Sequence, residues 1–348
     1  MAVGFLHGDR LESTGFASDA PEPSPCVSEP PGTMFDPSPL PPERCMLCPR
    51  GCGANRAAGE RGACGAGAEL AVARAALHFW EEPPISGNAG SGTVFFSHCP
   101  LRCIYCQNHE IAVGRAGRAI TADRLAEIFL ELQSAGALNV NLVTPTHYLP
   151  QIKHAIDAAR SVGLSLPIVY NTSGYETPGA IRSLAGYVDV YLTDFKYWSD
   201  DPARAYSHAS DYREAACSAL DEMVSQIGGL AYSEIAGEDG PVLSRGVVVR
   251  HMMLPGLLDD SKAIVAHLAE RYGDSIALSL MNQYTPLRAF PKHPALNERV
   301  PAEDYEALLD FADGLGVEDY FWQEGDAVGE SFIPAFDGSG VDGSARGD

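Results

Sequence analysis

The chain has 348 residues, of which 45% are hydrophobic and 20% charged, and this composition is typical of a globular protein with one large domain or two ordinary ones. Its 24 Lys and Arg residues and 46 Asp and Glu residues give a formal net charge of −22, which argues against nucleic acid and anionic membranes as partners. No apolar run approaches the roughly 18 to 20 residues of a membrane span, and the N-terminus lacks the pattern of a secretory signal. We therefore expect a cytoplasmic protein.

The composition changes several times along the chain. Residues 1–44 are predicted to be a flexible leader, because the stretch 20–44 is dense in Pro, Ser and Glu and poor in apolar side chains. Residues 45–92 are rich in Gly and Cys, and we expect little regular structure in them. The main domain is predicted at 93–337, and residues 338–348 are expected to be a flexible tail.

From residue 93 onward, short apolar strands alternate with amphipathic helices. Six segments are predicted as strands buried on both faces: GTVFFS, NVNLVTP, LPIVYNTSG, VDVYLTDFK, GVVVRHMMLPG and IALSLMNQYTP. The helix predicted in TADRLAEIFLELQSAG has Thr121 placed to cap it and Gly136 to end it. Six βα units predict an α/β protein with an open, partial parallel β/α barrel, and a doubly wound sheet is the alternative.

Nine cysteines are present, and a disulfide framework is not expected, because the cytosol keeps thiols reduced. Cys26 and Cys217 lie apart from the others and are interpreted as bystander thiols. The other seven form two groups, the first being Cys45, Cys48, Cys52 and Cys64 and the second Cys99, Cys103 and Cys106.

The second cysteine group directly follows the first predicted strand, which is where a parallel barrel places its active site. Three thiolates can bind three irons of a 4Fe–4S cluster and leave the fourth iron without a protein ligand, whereas four thiolates close the cluster. An open iron can bind a further ligand, much as a three-ligand zinc does. A zinc knuckle with a distant fourth ligand is the alternative.

The C-x3-C-x2-C spacing of the second group resembles that of the radical S-adenosylmethionine (SAM) superfamily. In that superfamily the methionine amino and carboxylate groups of SAM chelate the open iron, and an electron from the cluster releases a 5′-deoxyadenosyl radical. Further segments, between about Cys45 and Asp337, resemble the family of proteins related to the pyruvate formate-lyase activating enzyme. These segments are CMLCPRGCGANRAAGERGACGAG, LHFWEEPPISGNAGSGTVFFSHC, NLVTPTHYLPQI, YNTSGYE, DFKY and SLMNQYTP.

The resemblance implies a set of residues around SAM, for each of which a purely structural polar role is the alternative. Tyr105 matches an aromatic position near the adenine, and Asp194 and Lys196 match an Asp-x-Lys pair whose Lys meets the cofactor carboxylate. Arg250 matches a basic residue facing the same carboxylate, and Gln283 stands where a ribose-contacting His is common. The remaining expected contacts, with the ribose, the methionine part or the amino group, are Asn171, Ser173, Thr144 and Thr146. The two threonines occupy the place of a Gly-Gly-Glu type motif.

For function, the resemblance implies an oxidoreductase that abstracts a hydrogen atom from a glycyl residue of a partner enzyme. The electron donor would be a flavodoxin or a ferredoxin. One alternative keeps the radical but directs it at a small molecule. Another is a non-catalytic metal or electron-transfer module, although an electron carrier has no need of a barrel pocket.

The first cysteine group predicts a second metal site. Its four thiols, Cys45, Cys48, Cys52 and Cys64, lie in a segment that lacks an evident core of its own, and such segments are often held by a metal. Zinc and an auxiliary iron–sulfur cluster both suit soft thiolate ligands. We expect a structural role for this site.

Overall fold

The computed structural model describes residues 3–5, 41–317, 320–323 and 333–343. The strands in these residues are β1 Val3–Phe5, β2 Leu70–His78, β3 Ser91–Phe96, β4 Arg118–Ile120, β5 Val140–Val143, β6 Ile168–Thr172, β7 Val190–Asp194, β8 Ala231–Ser233, β9 Val242–Met252, β10 Ala277–Met281 and β11 Tyr320–Gln323. The helices are α1 Pro83–Ser86, α2 His109–Ala112, α3 Ala122–Ser134, α4 Leu149–Ser161, α5 Pro178–Arg182, α6 Asp200–Ser207, α7 Tyr212–Ile227, α8 Leu258–Tyr272 and α9 Ala302–Gly314. Within this part of the chain, no helix has the length and apolarity needed to cross a membrane.

One sheet organises the molecule, with the strand order β1-β11-β10-β9-β7-β6-β5-β3-β2-β4 and with β8 paired to β9 beside this path. Along the path β3-β5-β6-β7-β9-β10-β11, all neighbouring strands are parallel. At the two edges, β1 pairs antiparallel with β11, and β2 pairs antiparallel with β3 and β4. The parallel strands follow one another in chain order without the reversal that defines a doubly wound sheet. Because β1 and β4 do not pair, the barrel is open, and the predicted partial β/α barrel is confirmed.

The six predicted strands correspond to β3, β5, β6, β7, β9 and β10. The helix signals are also confirmed at α3, where the Thr121 hydroxyl accepts a hydrogen bond from the Arg124 amide at 3.0 Å. The chain leaves this helix through Gly136, whose φ of +87° suits a residue without a side chain. The apolar stripe of α3, Leu125, Ile128, Phe129 and Leu132, is buried in the main core.

Alternate residues of the strands face opposite sides of the sheet. On β9, Val247 and Val249 belong to the main core, while Val248 lies in a smaller cluster inside the barrel. Ile85 of α1 packs into the inner cluster, and its carbonyl accepts a hydrogen bond from the Asn139 amide at 2.7 Å. Because Asn139 directly precedes β5, α1 closes the barrel at the amino ends of its strands.

Residues 45–92 differ from the expectation of little regular structure, because they contain β2, a nine-residue strand between β3 and β4. Its sequence, LAVARAALH, is rich in Ala, which has a low intrinsic preference for strands, so the segment gives a weak local signal. Pairing with β3 and β4 stabilises the strand despite this low preference.

The predicted flexible ends also differ from the structure where it describes them. Residues 3–5 form β1, and the Pro42 carbonyl accepts a hydrogen bond from the Arg56 amide at 3.0 Å; residues 1–2 and 6–40 of the predicted leader lie outside the described residues. In the predicted tail, residues 338–343 pack on the body of the protein and Val341 is fully buried. Residues 344–348 lie outside the described part.

Candidate functional site

A cavity of about 250 Å³ lies inside the barrel and is lined by all three cysteines of the second group. Most of the residues expected around SAM also line it: Tyr105, Thr144, Asn171, Ser173, Asp194, Lys196, Arg250 and Gln283. Thr146 does not line this cavity. The cysteine loop and the carboxyl ends of the strands therefore meet at one place, as the strand order requires.

The cysteine loop winds tightly because two of its residues adopt left-handed backbone conformations, His98 with a φ of 75° and Arg102 with a φ of 54°. The amide of Arg102 donates to the Cys99 sulfur at 3.5 Å, and the hydroxyl of Ser207 donates to the Cys103 sulfur at 3.0 Å. Donors of this kind tune the potential of a thiolate-bound cluster.

Burial keeps two of these thiols protonated in the absence of a metal. It raises the pKa of Cys99 to about 11 and that of Cys106 to about 12. A metal must therefore displace protons when it binds. Among the described residues, no three His, Cys, Asp or Glu side chains form a ready-made site for a single ion. A cluster does not need that convergence, because each thiolate binds an iron of its own.

Tyr105 is buried and connected to the cysteines through a chain of hydroxyl groups. Its hydroxyl accepts a hydrogen bond from Tyr197 at 2.8 Å, and the Tyr197 and Ser207 hydroxyls are 2.6 Å apart. Ser207 in turn donates to Cys103. The sequence analysis singled out neither Tyr197 nor Ser207 as a site residue, because both act through contacts with residues about a hundred positions away.

The charged residues on the cavity wall form a network in which each cation already has a protein partner. Lys196 Nζ lies 2.6 Å from Asp194 Oδ2, and Arg250 Nε lies 3.0 Å from Asp194 Oδ1. Arg250 Nη1 donates to Glu81 at 2.9 Å, and Nη2 donates to the Asn171 side-chain oxygen at 2.6 Å. Lys196 and Arg250 therefore meet the wall where the resemblance expected them, but all three guanidinium nitrogens of Arg250 bind side chains of the protein.

The network shifts the pKa values of its members. Burial raises the pKa of Asp194, but the positive charges of Lys196 and Arg250 lower it more, so that the net shift is downward. Burial lowers the pKa of Lys196, but the negative charge of Asp194 raises it more. Both members of this pair are therefore charged at neutral pH.

Glu81 and Glu82 are functional candidates that the sequence analysis did not single out. They lie in the segment between β2 and α1 and line the cavity from the closed end of the barrel. Glu81 accepts from Arg250 and also from the side-chain amides of Asn141 at 3.1 Å and Asn171 at 3.2 Å. The sequence EEPP, a pair of acidic residues followed by two prolines, is the feature that could have indicated these two residues.

The polar residues after β5 and β6 divide between two places. Thr144 lines the barrel cavity with a φ of 58°, an unusual conformation for a β-branched residue. The Ser173 hydroxyl lines the same cavity and is buried without a hydrogen-bond partner. Thr146 instead donates to Glu176 at 2.9 Å and lines a second, smaller cavity.

The second cavity, of about 10 Å³, is lined by all four cysteines of the first group, Cys45, Cys48, Cys52 and Cys64. Pro100, from the cysteine loop of the barrel, lines it as well. Burial raises the pKa of Cys48 to about 12 and also raises that of Cys64. The structure thus brings each cysteine group together. The loop that carries the second group borders both cavities.

Arg50 ties the two groups to each other. Its guanidinium donates to the carbonyls of Pro100 at 3.1 Å, Leu101 at 3.4 Å and Ser207 at 2.7 Å, and to the carbonyl of His208. Arg50 lies between Cys48 and Cys52 in the sequence, whereas Pro100 and Leu101 lie between Cys99 and Cys103. These bonds fix the segment of the first group against the loop of the second.

The residues around the barrel cavity fit an iron–sulfur cluster and a zwitterionic cofactor. Three thiols line one side of the cavity, leaving no fourth cysteine among its lining residues in the described part of the chain. The unpartnered Ser173 hydroxyl and the charged pair of Asp194 and Lys196 offer polar contacts inside it. This combination of soft ligands and fixed charges suits a cluster with an open iron together with a polar ligand.

Comparison with known proteins identifies the domain. The family model described as the Radical SAM superfamily matches residues 93–228, which include the second cysteine group and strands β3 to β7. The chain is also 26% identical over 285 residues to Uncharacterized protein MJ0674 of Methanocaldococcus jannaschii, an alignment that covers 79% of this chain and 76% of the relative.

Among solved structures, the chain is similar to SuiB of Streptococcus suis, both bound to precursor peptide SuiA and bound to SAM. The first comparison has a TM-score of 0.43 and 14% identity and covers 65% of this chain and 46% of SuiB. The second has a TM-score of 0.43 and 12% identity and covers 66% of this chain and 49% of SuiB. The matched part spans less than half of each SuiB chain.

The family match and the cavity agree on the cofactors. Radical SAM proteins use a 4Fe–4S cluster and SAM, and the three cysteines with their polar surroundings fit both. Residues 93–228 are therefore a radical SAM domain, which contains the three cysteines of the second group.

Proposed function

We propose that this protein is a radical SAM oxidoreductase that abstracts a hydrogen atom from a glycyl residue of a partner enzyme. When bound, the reduced cluster would donate one electron to SAM, whose sulfur–C5′ bond would break to give methionine and a 5′-deoxyadenosyl radical that takes a hydrogen atom from the substrate. The observation that carries the proposal is the single cavity lined by three cysteines, a charged pair and an unpartnered hydroxyl.

Each part of the cavity has a task in this chemistry. Cys99, Cys103 and Cys106 would hold the cluster. Lys196 would attract the cofactor carboxylate, and Asp194 holds the Lys196 ammonium in place at 2.6 Å. The barrel wall and α1 exclude water from the closed end, which protects a reactive radical from side reactions.

The size and rim of the cavity favour a protein substrate. Its volume of about 250 Å³ is below the roughly 300 to 1,000 Å³ of most small-molecule sites, so a substrate group that enters it must be slender. A glycyl residue has no side chain and is therefore slender enough to reach the radical. Trp80 lines the cavity and is 52% exposed, and the neighbouring Phe79 is 49% exposed, so an apolar rim is available to a protein loop.

Several further parts of the proposal rest on the sequence resemblance. The relatives of the pyruvate formate-lyase activating enzyme supply the glycyl substrate and the expectation of a flavodoxin or ferredoxin as electron donor. A cytoplasmic location follows from the same resemblance and from the chain composition. A radical directed at a small molecule is the competing function.

Cleavage of SAM tests the radical chemistry. The anaerobically reconstituted protein, reduced with dithionite, should convert SAM to methionine and 5′-deoxyadenosine, as measured by mass spectrometry. Cys103→Ala leaves two thiolates and should lose both the 4Fe–4S spectrum and the cleavage. Cys217→Ala is the matched control, because Cys217 lies on α7 with its sulfur near His267. Equal cleavage by the Cys103→Ala variant would contradict the proposal.

Deuterium transfer tests the glycyl substrate. A protein fraction from cells grown on α-deuterated glycine should pass deuterium into 5′-deoxyadenosine when it is incubated with the reduced protein and SAM. The small-molecule fraction of the same cells should not. Transfer from the small-molecule fraction alone would support the competing function instead.

We also propose that Cys45, Cys48, Cys52 and Cys64 hold an auxiliary metal site. All four line one small cavity, and Cys45 and Cys64 are buried. Zinc and an auxiliary iron–sulfur cluster both suit four thiolate ligands. We assign this site a structural role, since it joins a loop-rich segment to the barrel.

Metal analysis tests the auxiliary site. A variant with Cys99, Cys103 and Cys106 all changed to Ala should still bind either about one equivalent of zinc or the iron of one auxiliary cluster. A metal-free variant would show that the first cysteine group is not an independent site. In the converse variant, with the four N-terminal cysteines changed to Ser, the radical cluster should remain and the stability should fall.

A further inference from the structure

The closed end of the barrel cavity contains a carboxyl group that has one oxygen without a hydrogen-bond partner. Glu82 lines the cavity and is only 7% exposed, and its Oε2 atom has no hydrogen-bond partner. A buried carboxyl oxygen in this state is costly, because burial removes the water that would otherwise bind it. A ligand group that donates to this oxygen would remove the cost.

In the adjacent residue, Glu81, both carboxylate oxygens accept hydrogen bonds from protein side chains. One of its oxygens accepts from Asn141 and Asn171, and the other accepts from Arg250. Glu81 is therefore complete without a ligand. The difference between the two adjacent residues points to Glu82 as the one that awaits a partner.

The charges that line the cavity leave Glu82 unmatched. The described lining residues include three carboxyl groups, of Glu81, Glu82 and Asp194, but their Lys and Arg residues are only Lys196 and Arg250. Both cations already pair with Asp194, and Arg250 pairs with Glu81 as well. Within the described part of the chain, no Lys or Arg forms an ion pair with Glu82. Burial raises its pKa, and the charge of Arg250 only partly opposes that rise, so a cation bound at Glu82 would stabilise its charged form.

We propose that the substrate carries a positively charged nitrogen, an ammonium or a guanidinium, and that Glu82 binds this group at the closed end of the cavity. The inference rests on the proposed function, because the molecule bound there is taken to be the hydrogen donor. A cation supplies both the charge and the N–H donors that the Glu82 carboxylate lacks. The net charge of −22 favours the approach of such a molecule.

The position of Glu82 separates it from the residues assigned to SAM. Glu82 precedes α1, which closes the barrel at the amino ends of the strands, whereas the cysteines follow the carboxyl end of β3. A substrate cation at Glu82 and SAM at the cysteine loop would share one cavity. The reacting hydrogen would lie between them.

Binding of paired probes tests the inference without any turnover. The full-length protein, reconstituted with its cluster and saturated with SAM, is titrated with butylammonium and with butanol, and then with the amides of N-acetyl-glycyl-arginine and N-acetyl-glycyl-glutamine. Binding is measured by saturation-transfer NMR. In each pair the charged probe should bind at least tenfold more tightly than the uncharged one. The charged probe that binds more tightly indicates whether a small amine or a peptide side chain is the source.

Variants connect the preference to Glu82. Glu82→Gln should abolish the preference for charged probes, and Glu82→Asp, which keeps the charge with a shorter reach, should retain part of it. Glu306→Gln, on the exposed face of α9, is the matched control and should change nothing. Equal binding of both members of a pair, or an unchanged preference in Glu82→Gln, would overturn the inference.

A separate measurement distinguishes Glu82 from a cofactor contact. The affinity for SAM without any probe should be the same in Glu82→Gln and in the unmodified protein. A weaker affinity would assign Glu82 to the cofactor and overturn the inference. Failure of the proposed radical chemistry would appear instead as absent SAM cleavage by the unmodified protein, which needs no probe.

Discussion

Arg250 is the residue whose surroundings most change its interpretation. The resemblance assigned it to the cofactor carboxylate, but its three guanidinium nitrogens bind Glu81, Asp194 and Asn171. These partners come from three different parts of the barrel. Arg250 therefore holds the wall of the cavity together and keeps two buried carboxylates paired, which makes it a positioning residue for the site.

Arg250→Met should be strongly destabilising, because it leaves Glu81 and Asp194 as buried carboxylates with one partner fewer each. We expect the free energy of unfolding to fall by about 3 to 5 kcal/mol, measured by urea denaturation. Arg115→Met is the control, because the Arg115–Glu110 pair is exposed and such pairs contribute less than about 1 kcal/mol. Adding Glu81→Gln to Arg250→Met should recover part of the loss, and equal effects of the two arginine variants would contradict this role.

Glu176 gives the protein a pH dependence of predictable sign. Burial raises its pKa to about 7, although the hydroxyls of Thr172 and Thr146 donate to it and lower the pKa. In the unfolded chain the group titrates near the ordinary value of about 4.3. Between these two values the folded state binds more protons, so this group contributes stability below about pH 4 that is lost as the pH rises through 7.

Glu176→Gln should remove that dependence. We compare the free energy of unfolding of the variant with that of the unmodified protein. Between pH 4 and pH 8 this difference should change by about 3 kcal/mol in favour of the variant, because the shifted pKa has this free-energy equivalent. Urea denaturation at the two pH values measures this difference. Glu306→Gln, on the exposed face of α9, should show no such change with pH. A difference that does not vary with pH would show that Glu176 titrates normally.

At the scale of elements, the cysteine loop depends on a segment that precedes the barrel. Arg50 binds three carbonyls near this loop at 3.4 Å or less, those of Pro100, Leu101 and Ser207. Its guanidinium also lies 5.1 Å from the centre of the Tyr175 ring. The segment of the first cysteine group thus supports the loop that would hold the radical cluster, even if its own thiols bind nothing.

Arg50→Met should loosen the loop without removing any thiol. Amide hydrogen exchange in residues 99–107 should become faster, because the carbonyls of Pro100 and Leu101 lose their donor. Iron should also leave the reconstituted protein faster in the presence of a chelator. Arg61→Met is the control, since Arg61 is exposed and donates to the carbonyl of Gly65 within its own segment. Unchanged exchange in the loop would mean that the barrel alone positions the cysteines.

The elements differ in how far their own residues predict them. The strands β3, β5, β6, β7, β9 and β10 are short apolar runs, and α3 carries both its stripe and its cap, so local sequence predicted all of them. In contrast, β2 is rich in Ala and β11 has only four residues, and both depend on neighbours in the sheet. Tertiary pairing decides such segments, and a local pattern cannot show it.

At the scale of the whole molecule, the site residues also divide into those that local sequence predicted and those that depend on distant contacts. The cysteine triplet was recognised from its spacing and the Asp194–Lys196 pair from the resemblance, and both line the barrel cavity. Glu81 and Arg50 bind residues far away in the chain, and no local spacing predicts those contacts. Thr146, placed beside Thr144 by sequence, contacts Glu176 and the other cavity instead, because the chain turns between the two threonines.

The two ends of the described chain both contribute to the sheet region. β1 pairs with β11 at one edge, and residues 338–343 lie against β2 near the other. The amides of Ala75 and Gly338 donate to the carbonyls of Ser339 and Ala73, respectively, at 2.9 and 3.0 Å. A segment expected to be a free tail therefore covers part of the barrel.

Truncation after Asp337 should destabilise the whole protein. It exposes the site filled by the fully buried Val341, worth about 1.5 to 3 kcal/mol, and leaves the Ala75 amide without its acceptor, Ser339. We expect the free energy of unfolding to fall by about 3 kcal/mol, measured by urea denaturation. Truncation after Gly343 keeps all of these contacts and is the matched control. If the two truncations unfold at the same urea concentration, the contacts of residues 338–343 add nothing to stability, and the expectation of a free tail would be restored.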